Sequence, residues 1–264
     1  VRGAALATIL SQGLSCVWVL RFLTGKKTLL RLKKETLFRN FKLVLPCIAL
    51  GSAAFIMQSS ESVISVCFNS SLLKYGGDLA VGAMTILTSI NQFALMPLHG
   101  LSQGAQPIIS YNFGARNAER VRRAFWVLLR CSVIYSAVLW ATVQLLPGAY
   151  ISMFTPDAAL QAYTIPCLRM YMAASLIFGI QIACQQTFVA IGNAKHSLFL
   201  AVLRKLILLI PLIYILPPFF TDKVMAVFLA EPAADTLAVT TTALLFRAKF
   251  GAAMREMEGT GAHA

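Results

Sequence analysis

The chain has 264 residues, of which 58% are hydrophobic and only 12% charged, with a formal net charge of +13. Soluble globular proteins carry about 25% charged residues, and mean hydropathy here is +0.73. Several nearly uncharged runs reach about 20 residues, the length that crosses a hydrocarbon core. The composition therefore excludes an ordinary soluble domain and favours an all-α, multi-pass membrane protein. The basic excess does not mark a nucleic-acid partner, because the charges lie between apolar segments and form no basic face with interleaved aromatics. Cys16, Cys47, Cys67, Cys131, Cys167 and Cys184 sit in apolar segments without a CxxC pair, and read as small core side chains rather than a metal site or disulfide framework.

In chain order, residues 1–22 form the first predicted span, with Gly3, Ala4, Ala5, Ala7 and Gly13 suited to close helix contact. The chain opens with Val inside an apolar run, and we expect it to be the C-terminal part of something longer. A basic linker follows at 23–42. The second span is predicted at 43–70, where Gln58, Glu61, Ser65 and Asn69 share one helical face. A turn at Gly76-Gly77-Asp78 leads to the third span at 80–106. There Thr85, Ser89, Gln92, His99, Gln103 and Gln106 make a polar stripe, which needs water or polar groups to face. Gly114 is expected to stop that helix, and Asn117 to cap the next, with Glu119 in its first turn.

The fourth span is predicted at 124–146, closed by Pro147-Gly148, and a loop at 147–162 carries no Lys or Arg. The fifth, at 163–191, places Gln181 and Gln185 one turn apart and ends at Gly192-Asn193. The sixth, at 198–216, ends at Pro217-Pro218, and the seventh, at 224–246, contains Glu231, Pro232 and Asp235 before a short polar tail. The stretches 21–42, 112–123 and 193–205 and the tail hold 18 of the 23 basic residues. That bias alternates with the spans and places these stretches in the cytoplasm.

At GLSQGAQPIISYNFGA (100–115), FIMQSSESVISVCFNSSLLKYGGD (55–78), FGIQIACQQTFVAIGNAKHSL (178–198), LRKLILLIPLIYILP (203–217) and AEPAAD (230–235), the sequence resembles the multidrug and toxic-compound extrusion (MATE) family of cation-coupled efflux transporters, and within it the bacterial multidrug export subgroup. The resemblance implies a twelve-helix plan in two lobes. On it, 1–22 is the last helix of an N-terminal lobe missing from this chain, 23–42 the cytoplasmic inter-lobe linker, 43–246 the six-helix C-terminal lobe, and 247–264 a cytoplasmic tail. It implies export of amphipathic or cationic small molecules against inward proton or sodium flow, in the inner membrane among its lipids, with no cofactor. Two other readings stay open: a flippase for lipid-linked precursors, and a non-transporting half that needs a partner lobe.

Glu61 is the sharpest candidate for cation coupling, because a carboxylate well inside an apolar span is costly and marks function by default. Asp235 and Glu231 repel across one helical turn, so at least one is expected to hold a proton or a cationic partner. Pro232 frees a backbone carbonyl between them. Gln58, Ser65, Asn69, Gln92, His99, Gln103, Gln181 and Gln185 are candidates to line a polar cavity or to hydrogen-bond between helices. Met57, Met84, Met96, Met170 and Met172 with Phe55, Phe93 and Phe178 form either an adaptable drug-contacting wall or packing surface. No HExxH, GxSxG, Walker A or GxGxxG motif is present, so neither an enzyme nor an ATP-driven pump is indicated. The charge alternation makes a direct prediction. A cysteine introduced at Asp157 reacts with an impermeant maleimide from outside the cell, and one introduced at Arg120 reacts only after permeabilisation. Labelling with the opposite sidedness reverses the orientation.

Overall fold

The computed structural model describes residues 2–25 and 41–261, and every regular element among them is helical. These residues fall into two compact units, one ending at Phe55 and one starting at Ile56. The first holds α1 (Arg2–Thr24) and the opening of α2 (Phe41–Gly114). α1 is apolar all round, with Leu6, Leu10, Leu14 and Trp18 exposed. Its Ser11 and Thr24 hydroxyls donate to the Thr8 and Leu20 carbonyls, which keeps their polar atoms satisfied on an apolar helix. The basic linker expected at 23–42 lies largely outside the described residues.

In the second unit α2 continues straight through the stretch that reads as a turn. Only Gly77, at φ 64° and ψ −160°, leaves helical geometry. A positive φ is cheap for glycine alone, so the kink falls there and nowhere else in 74 residues. It divides α2 into limbs 41–76 and 78–114, each long enough to span on its own. Beyond Gly114, the Asn117 side chain accepts from the Arg120 amide at 3.0 Å and caps α3 (Ala118–Leu145), as its sequence indicates.

Four segments differ from expectation. Pro147 does close the preceding helix, but it also opens α4 (Pro147–Ser152), since proline at a first helical position loses no hydrogen bond. Asp157 then accepts from the Ala159 and Leu160 amides and starts α5 (Ala158–Tyr171), so 147–162 is mostly helix. The fifth span is broken: α5 and α6 (Ser175–Ala190) meet at 49°, where Ala173 and Ser175 turn their amides to the Met170 and Met172 carbonyls three residues back. The sixth is composite, with α7 (Ala194–Val202), a π-helical segment (Leu203–Leu209), α8 (Ile210–Ile215) and a 3-10 turn (Pro217–Phe219). Finally α9 (Lys223–Gly261) does not stop at Arg247. Its last turns bury Met254 and Met257 against Ile109, Val121, Leu128 and Ala183, contacts that a polar reading of the tail conceals.

Among the described residues five helices can cross a membrane by length and apolarity, or six with α5 and α6 as one bent span. The sequence predicts seven spans; the second and third of them run here as one helix, α2, kinked at Gly77. One core joins Phe68, Leu72, Leu87 and Ile90 of α2 to Leu168 of α5, Ile213 of α8 and Val227 and Phe228 of α9. A second, aromatic cluster stacks Phe125 on Phe246 at 4.6 Å and Phe246 on Phe250 at 4.7 Å, with Phe188 edge-on. Between helices in lipid there is little hydrophobic drive, so close packing and hydrogen bonds hold the bundle. The Tyr135 hydroxyl donates to the Ala94 carbonyl at 2.6 Å, and the Gln144 amide to the Arg169 carbonyl at 3.0 Å.

The tightest approach is between α3 and α6. A Cβ on Gly179 would meet the Ser132 carbonyl and lie 2.8 Å from the Ser136 hydroxyl oxygen, so only glycine lets these backbones touch. We expect Gly179→Leu to destabilise the protein by about 1–3 kcal/mol, read as a lower midpoint when thermal unfolding in detergent is followed by circular dichroism. An unchanged midpoint would show that the two helices part without penalty.

Candidate functional site

The π-helical segment is wider than an α-helix because its hydrogen bonds run i to i+5, and such turns recur at functional sites. Here it carries two adjacent cations, Arg204 and Lys205, inside the apolar span His196–Phe219. Arg204 turns to α9. Its Nε donates to Asp235 Oδ1 at 2.5 Å and its Nη2 to Glu231 Oε1 at 3.3 Å. The guanidinium also lies over the Phe178 ring, 4.6 Å from its centroid. Lys205 turns to α2 instead, and its Nζ forms an ion pair with Glu61 Oε1.

The three coupling candidates are thus drawn together by one short segment. The Glu231 and Asp235 side chains are each 11% exposed, while the Glu61 side chain is 53% exposed. Pro232 lies between the two buried carboxylates and has no amide to give the Phe228 carbonyl, which loosens α9 at that point. The Thr236 hydroxyl donates to the Pro232 carbonyl at 2.7 Å. Beside Arg204, Glu231 and Asp235 is a cleft of about 20 Å³, bounded also by Asn91, Tyr171 and Ser175. That is room for about one water molecule or a small ion, not for a drug. With all three carboxylates ionised, the two cations leave one negative charge uncompensated.

Arg204 and Lys205 were not legible as site residues, since the basic stretch 193–205 reads as cytoplasmic. The signal was present: SLFLAVL (197–203) is apolar and precedes them, and AEPAAD (230–235) requires a cationic partner. Among the cavity candidates, Ser65, Asn69, Gln92, His99 and Gln103 are exposed, Gln185 is half-buried, and the side chain of Gln58 lies outside the described residues. Thr85 and Ser89 donate to backbone carbonyls one turn back, so the stripe is partly satisfied within its own helix. Gln106 accepts from Gln186 Nε2 at 2.8 Å, an interhelical bond made by the neighbour of the expected Gln185. Gln181 is buried, and among the described residues neither of its amide atoms has a hydrogen-bond partner. The apolar candidates divide. Phe93 and Met96 border a cleft of about 300 Å³ with Tyr135, Leu139 and Tyr150, whereas Met84, Met172 and Phe178 are buried.

Residues 53–215 match the protein-family model MatE, which is more than half of the chain. The chain belongs to the MatE family. Curated relatives include the multidrug export protein MepA of Staphylococcus saprophyticus, 24% identical over 233 residues, covering 88% of this chain and 51% of that protein. MepA of Staphylococcus haemolyticus is 25% identical over 248 residues, covering 90% and 53%. The chain therefore spans about half the length of these relatives. Among solved structures, an outward-facing MATE family multidrug resistance transporter of the MOP superfamily superimposes with a TM-score of 0.82 at 20% identity, over 96% of this chain and 57% of the other. A MATE crystal structure in the bent conformation gives 0.84 at 19%, over 97% and 57%. This MatE chain is thus a multi-pass membrane protein of a transporter family, not of an enzyme family.

The ion-pair geometry makes a stability prediction. Removing one partner of a buried pair costs about 3–5 kcal/mol, because the other charge is left stranded. Arg204→Met is expected to lose that much, and the triple variant Arg204→Met, Glu231→Gln, Asp235→Asn to recover most of it, in thermal unfolding of the detergent-solubilised protein. Equal loss in both would show that Arg204 acts by packing on Phe178 rather than by charge.

Proposed function

We propose that this chain is the C-terminal lobe of a secondary multidrug exporter, with Glu61, Glu231 and Asp235 coupling inward flow of protons or sodium to export of amphipathic or cationic compounds. The observation that carries the reading is the intramembrane cluster of three carboxylates against two cations, which lacks one positive charge. An unneutralised charge in hydrocarbon is expensive, so the cluster favours uptake of a proton or a monovalent cation. The names of the MepA relatives support export of drugs, and their doubled length supports a second lobe. On that plan 1–22 is the last helix of the N-terminal lobe, 23–42 the linker, 43–246 the C-terminal lobe and 247–264 its cytoplasmic end. The driving force is about 2.3 kcal/mol per charge per 100 mV, plus the chemical gradient, and the two lobes rock about a central cavity in the inner membrane.

Exporter and flippase readings part on the sign of the cavity. A flippase for lipid-linked phosphates needs uncompensated cations. Arg204 and Lys205 do lie within the span, contrary to their reading as loop residues, but carboxylates neutralise both. The excess charge is negative and favours cationic cargo.

In proteoliposomes of the full-length protein with an imposed proton or sodium gradient, Glu61→Gln and Asp235→Asn are expected to insert normally and lose at least about tenfold in gradient-driven efflux, about 1.4 kcal/mol of coupling. His99→Gln, on the exposed face of α2, is expected to change the rate far less. Wild-type efflux by both carboxamide variants would leave these carboxylates structural and place coupling elsewhere. The 264-residue chain expressed alone is expected to confer no drug resistance, and co-expression with an N-terminal lobe to restore it. Resistance from the chain alone would remove the need for a second lobe.

A further inference from the structure

The two adjacent cations are held very differently. Arg204 is gripped on three sides, by Asp235, by Glu231 and by the face of Phe178, and both of its carboxylate partners are buried. Among the described residues Lys205 makes its direct ion pair with Glu61, whose side chain is 53% exposed. The chemistry of the two side chains sharpens the contrast. A guanidinium is a planar fork that is pre-organised for two carboxylates, whereas an ammonium is a point charge on a flexible four-carbon stem. The cluster therefore has a fixed half and an open half, and the open half is a one-to-one charge pair.

We propose that Lys205 is a built-in cation that occupies the Glu61 carboxylate until a transported monovalent cation displaces it. The inference rests on the reading of Glu61 as a coupling carboxylate. Three observations carry it beyond that reading. Glu61 is not vacant, so any cation that binds there competes with a tethered ammonium. The displacing species must bring a single positive charge, because that is what leaves. The ammonium also has somewhere to go: Arg204, the residue before it, supplies one positive charge to two carboxylates, Glu231 and Asp235, and leaves one negative charge unmatched. Moving Lys205 from Glu61 to that pair as a cation enters brings the whole cluster to neutrality. A cation bound at the open half is thereby registered at the buried half, on the proline-loosened turn of α9. The two residues already face different helices from one π-helical segment, Arg204 towards α9 and Lys205 towards α2.

A tethered competitor lowers the apparent affinity by the fraction of time the site is free. With the full-length protein in nanodiscs and tetraphenylphosphonium as a lipophilic monovalent probe, Lys205→Gln is expected to bind about tenfold tighter than wild type, as for a site that is open about a tenth of the time. Lys205→Arg keeps a cation in place and is expected to retain the weaker wild-type affinity. Glu61→Gln is expected to abolish the gain when combined with Lys205→Gln.

A measurement on the unmutated protein guards against a misfolded variant. Reductive methylation of Lys205, quantified by peptide mass spectrometry against exposed Lys74, is expected to fall several-fold as tetraphenylphosphonium or sodium is titrated at constant ionic strength, because the ammonium leaves the exposed Glu61 for the buried pair. The titrant that produces the fall identifies the displacing ion. If Glu61→Gln weakens binding but Lys205→Gln gives no gain and Lys205 labelling stays flat with both titrants, the tethered-cation inference is overturned and Glu61 coupling stands. If Glu61→Gln binds and transports as wild type, both fall together.

Discussion

A charge inside hydrocarbon must be neutralised or removed, and the second unit of this protein is arranged around that requirement. Three carboxylates and two cations meet where α2, α9 and a π-helical segment converge. In a low dielectric each ion is worth far more to its partner than in water, and far more costly without one. The segment that bears the cations cannot move independently of the helices that bear the carboxylates. Helices that lipid alone would leave to slide are therefore tied at fixed register.

Departures from regular helix coincide with the site. The π turn supplies Arg204 and Lys205, Pro232 separates Glu231 from Asp235, and the 49° break between α5 and α6 lies next to Ser175 and Phe178, which border the same cleft. Broken backbone at membrane depth is tolerated only where protein or water can satisfy it. The buried charges provide that polar surrounding, and the breaks in turn give the charges their directions.

Size separates two kinds of binding surface. The cleft beside Arg204 holds about 20 Å³, whereas the one bordered by Phe93, Met96, Tyr135 and Tyr150 is apolar and about 300 Å³. The first suits a proton-bearing water or an ion; the second approaches the size of small-molecule sites. Met96 and Phe93 give the larger cleft adaptable, polarisable contacts without committing it to one shape. The helix α2 carries both Glu61 and the apolar wall of Phe93 and Met96.

Sequence alone determined the elements and their class, because hydrophobic length and polar periodicity are local quantities. The apolar spans, the helix stop at Gly114, the Asn117 cap and the Gly192 terminus all follow from residues within a few positions of each other. The three acidic candidates were legible for the same reason: a carboxylate in an apolar run stands out wherever its partner is. Their partners were not. Arg204 and Lys205 are 31 and 144 residues from Asp235 and Glu61, and in a basic stretch near a span boundary they look like topology markers. Only tertiary structure decided that they lie inside the span, that one meets α9 and the other α2, and that α9 extends through Met257 to pack against Ile109. Which charges meet depends on how helices distant in the chain are placed against one another, and no local pattern encodes that placement.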